Sequence, residues 1–228
     1  MSGLLLDEVS VRGGDVEVLH DVTCALDDRT IAVIGENGSG KSTLARLVGG
    51  LITASSGTVR VLGLDPARDA ARLRHRVAMV FSNPDAQIIM PTVAEDVAFS
   101  LRPEKLPREE KRRRVQAALE RFGLDGIADR SAHDLSGGQK QLLALCGAFV
   151  REPELVIADE PTAYLDARNA RRVTGHLLEK GSHRLLLVTH DLNLAQRCDR
   201  VVFVKDGTIA AAGDPDQVVT AYEEHLAC

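Results

Sequence analysis

The chain has 228 residues, 44% of them hydrophobic and 27% charged, with five Phe, two Tyr, no Trp and a formal net charge of −5. That length supports one large domain, or a domain with a sub-lobe, around a sizeable core, so disulfide or metal staples are not needed. No apolar run approaches the roughly 18–20 residues that cross a bilayer, and the acidic balance argues against a nucleic-acid surface, which needs clustered excess Lys and Arg. The opening Leu4–Leu6 run passes straight into Asp7-Glu8 without a basic or long apolar region, so no signal peptide is expected. Cys24, Cys146, Cys198 and Cys228 are scattered, without CxxC spacing or a nearby His, and read as reduced thiols.

Val9, Val11, Val16 and Val18 alternate about Gly13-Gly14, which predicts an antiparallel hairpin at the start. Thr30–Ile34 is an apolar run feeding a Gly-rich loop, and Thr43–Val48 beyond it reads as helix. Thr58–Leu62, Val77–Phe81, Leu155–Ala158, Arg184–Thr189 and Val201–Val204 are further short runs. Runs of this kind separated by helices predict a largely parallel sheet covered on both faces. From about 90 to 150 there is no convincing strand. Thr92 with Glu95 makes a capping box for a helix through Leu101, Pro107 opens a second helix that ends at Gly123, and Ser136 with Gln139 caps a third. The prediction is a single domain: an α/β core from 1–82 and 151–228, with a helical subdomain inserted at 83–150. Lys111–Arg114, preceded by two Glu, reads as a solvated helix face. Lys205-Asp206-Gly207-Thr208 predicts a hairpin turn, and Asp214-Pro215 the start of a final helix.

Gly35-Glu36-Asn37-Gly38-Ser39-Gly40-Lys41-Ser42 matches the pattern GxxxxGK[ST], placed between a predicted strand and a predicted helix, with Thr43 next along the same helix start. Glycines let backbone N–H groups converge on phosphate oxygens, the helix N-terminus favours an anion, and Lys41 supplies a point charge for the β- and γ-phosphates. Ser42 is placed to hold Mg²⁺. Leu155-Val156-Ile157-Ala158-Asp159-Glu160 is an apolar strand ending in two carboxylates. Asp159 suits the metal's hydration shell, and Glu160 the polarisation of a water that attacks the γ-phosphate.

A phosphate loop alone does not choose among kinases, GTPases, helicases and transport motors. Leu135-Ser136-Gly137-Gly138-Gln139 makes the choice: with it, the chain resembles the ATP-binding cassette family along nearly its whole length. The resemblance implies a P-loop NTPase core of RecA-like type, with an N-terminal antiparallel β subdomain and the helical insertion. It implies that Ser136, Gly137, Gly138 and Gln139 bind the γ-phosphate of ATP held by another subunit's P-loop, so that two cassettes pair head to tail around two nucleotides. Ala163-Tyr164-Leu165-Asp166 looks like the D-loop, with Asp166 coupling the two sites, and His190 looks like the switch histidine that orients Glu160. Asp191 is then the cap of the next helix.

Three positions depart from the family pattern. Ser82 in Val80-Phe81-Ser82-Asn83-Pro84-Asp85 stands where the family has a Gln that reaches metal and water; Ser is shorter and acts through a water or not at all. No aromatic precedes Phe81, so the usual adenine-stacking ring is missing; Arg12 is expected to stack through its guanidinium plane, or else adenine is held only by Val18 and the phosphates. Leu142 replaces an Arg that commonly follows the signature.

Asn83–Gln87 followed by Thr92–Phe99 resembles the ATPases of energy-coupling factor importers, and Ile88-Ile89-Met90-Pro91-Thr92 those of the biotin importers. This implies a second cassette, a transmembrane coupling component and a substrate-capture component as partners, at the cytoplasmic face of a membrane, with no nucleic acid. Two rival readings remain: a soluble cassette ATPase acting on DNA or ribosomes, which would carry long arms or tandem cassettes, and a regulatory subunit with little hydrolysis, suggested by Ser82 and the absent ring.

Overall fold

A computed structural model describes residues 3–179, 181 and 183–227; Cys228 lies outside the described residues. The strands are β1 (Leu4–Gly13), β2 (Val16–Leu26), β3 (Thr30–Ile34), β4 (Ser56–Val61), β5 (Val77–Val80), β6 (Leu155–Asp159), β7 (Arg184–Val188), β8 (Arg200–Lys205) and β9 (Thr208–Gly213). The helices are α1 (Lys41–Val48), α2 (Ala70–Arg76), α3 (Val93–Ser100), α4 (Arg108–Phe122), α5 (Gly137–Phe149), α6 (Ala167–Leu178), α7 (Leu192–Ala195) and α8 (Pro215–Leu226).

The first hairpin closes with Gly13 opposite Val16 and Gly14 at φ 64°, and β4 joins it to give a three-stranded antiparallel sheet in the order β2-β1-β4. The Thr58–Leu62 run therefore belongs with the hairpin and not with the parallel sheet. Its burial explains this: Val59 and Val61 are buried while Ser56, Gly57 and Thr58 are exposed, the half-buried alternation of an antiparallel strand.

The second sheet runs β5-β6-β7-β3-β8-β9, parallel except at its last edge. The β8–β9 turn has Asp206 at φ 44° and Gly207 at φ 76°, the two positive values that match strand twist in a two-residue hairpin. β3 lies between β7 and β8, so the loop that leaves it opens where strand order reverses, the usual place for a ligand crevice in an open α/β sheet.

Alternation along the buried strands feeds two cores. Ala32, Ile34, Val156, Ala158 and Leu187 face the helical subdomain, where Val97, Leu119, Phe122, Leu142 and Phe149 interlock. Ile31, Val33, Ile157 and Val188 face α1 and the antiparallel sheet, meeting Leu44, Leu47, Leu6 and Leu19. One sheet thus joins both lobes through opposite faces.

The helix starts follow their caps. Thr92 and Ser136 each form the full reciprocal capping box, Gly123 ends α4 at φ 64°, and Asp214 caps α8 with Pro215 in its first turn. α1 begins at Lys41, two residues before the pattern suggests, because Gly40 at φ 105° turns the loop directly into the helix. In the basic run Arg113 and Arg114 both donate to Glu110, a solvated flank of α4 as expected. Burial pushes the Cys24 and Cys198 thiols up to about 11 and Cys146 up to about 12, which makes them poor nucleophiles. The Leu142 side chain is fully buried in the helical core.

Candidate nucleotide site

The Gly-rich loop is clamped from below by two strands and a turn. The Gly207 N–H donates to the Ser39 carbonyl at 3.0 Å, and the His20 N–H donates to the Gly207 carbonyl at 2.9 Å. A methyl group at Gly35, where φ is 146°, would overlap the Val204 carbonyl; at Gly40 it would fall 2.8 Å from the Leu19 side chain. These two glycines are therefore required by close backbone approach as well as by φ. Gly38 at φ 83° faces open space.

Inside the loop Lys41 is buried, and its Nζ donates to the Gly35 carbonyl at 2.8 Å and the Glu36 carbonyl at 2.6 Å. Burial holds its ammonium below the ordinary lysine value, while the charges of Glu160, Asp159 and Glu36 pull the other way. A cation in this setting is stabilised by added negative charge. Among the described residues, the buried Ser39 Oγ has no hydrogen-bond partner and no side chain caps the first turn of α1. A buried hydroxyl without a partner and a helix N-terminus without a side-chain cap, beside a buried lysine, are what a phosphate chain satisfies, so the residues present fit a nucleotide.

Asp159 ends β6 beside β7, buried, and its Oδ1 accepts the Ser42 hydroxyl at 3.0 Å. A hydroxyl and a carboxylate held together at the phosphate loop form a hard oxygen donor set that fits Mg²⁺. The next residue, Glu160, sits in left-handed backbone (φ 50°), fixed by its N–H donating to the Val188 carbonyl at 2.9 Å. Its Oε2 lies 2.7 Å from Nδ1 of His190, which follows the fully buried Thr189 at the end of β7. Strand pairing thus brings together Ser42 from the start of α1, Asp159 and Glu160 from the end of β6, and His190 from just beyond β7.

Other predicted residues stand apart from this group. Ser136 and Gly137 are exposed at the start of α5, Gly138 is buried, and the Gln139 side chain turns back to accept the Ser136 N–H at 3.0 Å. Asp166 caps α6, accepting the Asn169 backbone N–H at 2.9 Å, and Tyr164 two residues earlier is 98% exposed at φ 66°. Arg12 pairs in register with Glu17 at the hairpin tip; its N–H donates to Ser55 Oγ at 3.0 Å and its exposed guanidinium engages no other described residue. Val18 is half-buried, its carbonyl packed on Gly40. Among the described residues, no hydrogen bond holds the half-buried Ser82 hydroxyl.

Two glutamines to which the sequence assigned no individual role shape the Ser82 loop. The Gln87 amide bridges the Phe81 N–H (2.8 Å) and the Met79 carbonyl (2.9 Å). Gln141, only 1% exposed on α5, donates to the Phe81 carbonyl at 3.1 Å, and Lys140 beside it pairs with Asp85 at 2.7 Å. Only their partners' positions in space reveal these roles: Gln87 stands in the Asn83–Gln87 segment and Gln141 just before an apolar helical run, with no individual role assigned to either. A cleft of about 720 Å³ opens next to this junction, between the β5 edge and the helical subdomain, with Met79, Ile89, Asp96, Phe99 and Gly147 in its wall.

A phosphate loop at the sheet's switch point, with the Ser42–Asp159 and Glu160–His190 pairs beside it, defines a P-loop nucleotide hydrolase. The family model described as ABC transporter matches residues 19–163, and the chain belongs to that family; it is an ATP-binding, ATP-hydrolysing subunit. It is 43% identical to an ABC transporter ATP-binding protein of Bartonella henselae over 97% of this chain and 98% of that one. It is also 39% identical to the energy-coupling factor transporter ATP-binding protein EcfA1 of Bacillus subtilis, over 85% of this chain and 70% of that one. Identity to the biotin transport ATP-binding protein BioM of Rhizobium etli is 38%, over 96% of each chain. Among solved structures, cbiO1 of Clostridium perfringens, part of the ABC transporter complex cbiONQ, superposes with a TM-score of 0.87 at 32% identity, covering 98% of this chain and 92% of that one. A dimeric ATP-binding cassette, MJ0796, bound to ADP and phosphate, gives a TM-score of 0.79 at 26% identity, covering 93% of this chain and 98% of that one. No helix among the described residues is long and apolar enough to cross a membrane.

Proposed function

We propose that this ATPase powers an energy-coupling factor importer, with biotin the favoured cargo, from the cytoplasmic face of a membrane, paired head to tail with a second cassette. The observation that carries the reading is the cleft between the β5 edge and the helical subdomain, open and partly apolar, in a chain similar along nearly its full length to importer ATPases. It suits a helix of a transmembrane coupling component, while substrate capture belongs to another polypeptide. Exposed Ser136, Gly137 and Tyr164 support the second cassette, since an exposed helix N-terminus and an aromatic on a left-handed turn are surfaces that a facing nucleotide site would cover.

In this reading the loop 35–43 binds the phosphates and Lys41 moves from the Gly35 and Glu36 carbonyls onto the β- and γ-phosphates. Ser42, and Asp159 through the metal's hydration shell, would hold Mg²⁺, which would neutralise charge on the transferring phosphoryl group. Glu160 accepts the proton of the attacking water. His190, already at its carboxylate, holds Glu160 toward the γ-phosphate, and Ser136 with the first amides of α5 closes over that phosphate from the other cassette. Asp166 couples the two sites, Ser82 acts through a water, and adenine lies between Arg12 and Val18. Opening after hydrolysis passes to the cleft through the Ser82 loop and the signature helix, which Gln141 joins.

ATP turnover by the purified chain, alone and with its co-purifying membrane proteins, tests the assignment. Glu160→Gln is expected to lower kcat by about 10²–10⁴-fold and to trap an ATP-bound dimer, as the loss of a general base does. Native turnover in that variant rejects Glu160 as the base, and copurification with nucleic acid or ribosomes instead of membrane proteins rejects the importer.

A further inference from the structure

The signature segment and the loop before α6 meet within a single chain. Asp166 accepts both the backbone N–H of Asn169 at 2.9 Å and its side-chain amide at 2.7 Å. The same Asn169 side chain lies against Gly138 in the first turn of α5, so closely that a methyl group added at Gly138 would overlap its amide. Gly138 is helical and buried, so its missing side chain serves this contact and not a turn. On the other side Gly137 faces open space.

We propose that Asn169 is a positioning residue that ties the Asp166 carboxylate to the N-terminus of the signature helix, so that the two segments a cassette presents to its partner move as one body. The proposal rests on the head-to-tail reading above. Ser136 and the first amides of α5 must meet a phosphate held by another chain, and a misplacement of about 1 Å there can cost on the order of a hundredfold in rate. The capping box sets the shape of this helix start but not its position against α6. Asn169 supplies that position: its shape fills the space Gly138 leaves, and its two N–H groups hold Asp166. Those bonds also keep the Asp166 carboxyl below the usual carboxylate range, and so charged.

Hydrogen exchange on the full chain, read on peptides covering 136–140 and 163–170, tests the tie without a partner. Asn169→Ala removes the whole contact, whereas Asn169→Asp keeps its shape and loses the amide donor. Both are expected to raise exchange about tenfold in the two peptides together. Gly138→Ala, pushing on Asn169 from the other side, is expected to raise exchange in 163–170. In ATP turnover, Asn169→Ala should lower kcat by about three- to tenfold. KM for ATP should stay near native, because the phosphate loop is untouched. In the Asn169 variants, faster exchange confined to 163–170, or native kcat in Asn169→Ala, overturns the proposal. ATP-driven dimerisation of Glu160→Gln with and without Asn169→Ala separates the two layers. A Glu160→Gln chain that pairs with no cassette rejects the head-to-tail reading, while the exchange result still decides the tie.

Discussion

Glu160 shows how a single residue is held for chemistry. A non-glycine residue at φ 50° carries a strain of about 1–3 kcal/mol, and it persists here because the Glu160 N–H is bound to β7 and its carbonyl accepts the Ala163 N–H at 3.1 Å. In this conformation the carboxylate lies 2.7 Å from His190 Nδ1. Arg12 is the opposite case, a residue whose proposed role depends on something outside the chain. Its guanidinium is exposed and unpaired among the described residues, so an adenine ring meets no competing ion pair there. Arg12→Ala is expected to weaken nucleotide affinity about fivefold, near 1 kcal/mol, in a fluorescence titration. Unchanged affinity assigns adenine to Val18 and the phosphate contacts alone.

At the scale of elements, α5 is the crossing point. Its first turn carries the signature, Gly138 meets α6 through Asn169, Lys140 reaches Asp85, and Gln141 reaches the end of β5. The start of this helix was legible in Ser136 and Gln139, since a capping box is a local pattern. Gln141 was not, because its partner Phe81 lies 60 positions away and nothing in the local pattern marks a buried polar side chain. Gln141→Leu leaves the Phe81 carbonyl without its donor in a part-buried setting and is expected to cost about 1–3 kcal/mol in urea unfolding. A variant as stable as the native chain would show that water replaces the bond.

At the scale of the whole molecule, two imidazoles under the helical lobe are expected to set a pH response. His183 is buried with Nε2 2.9 Å from the Leu177 carbonyl and its ring edge-on to Phe149, and His176 lies 4.3 Å from Phe122. Burial, and then the nearby Arg121 charge, hold His176 below the ordinary histidine value of 6.5; burial holds His183 below it as well, opposed by its bond to the Leu177 carbonyl and helped by Arg121, and Glu179 partly opposes both shifts. The unfolded chain therefore takes up these protons at higher pH than the folded one, so their contribution is whole above pH 6.5 and is lost as pH falls below it. Tm is expected to decline from pH 7 to 5.5, with a shallower slope in His183→Gln. The arginine-paired carboxylates Glu154 and Glu179 are held low, below their ordinary 4.5, and leave that window clear. A flat Tm profile across it would reject the assignment.

The sequence by itself determined the α/β class, the helix starts at Thr92, Ser136 and Asp214, the two hairpin turns, the phosphate loop and the Asp159-Glu160 strand end. Each is a local pattern whose physics acts over a few residues: period-two burial, a cap, a positive φ, converging amides. Tertiary structure alone decided that the Thr58–Leu62 run joins the first hairpin, that Gln87 and Gln141 brace the Ser82 loop, and that Asn169 stands between Asp166 and Gly138. The Glu160–His190 contact, which the resemblance to the cassette family implied, is made in space by β6 and β7 pairing in register while 30 residues separate the two side chains. Contacts across such separations form only when the strands are in register and the helices packed, and the residues that make them look ordinary until their partners arrive.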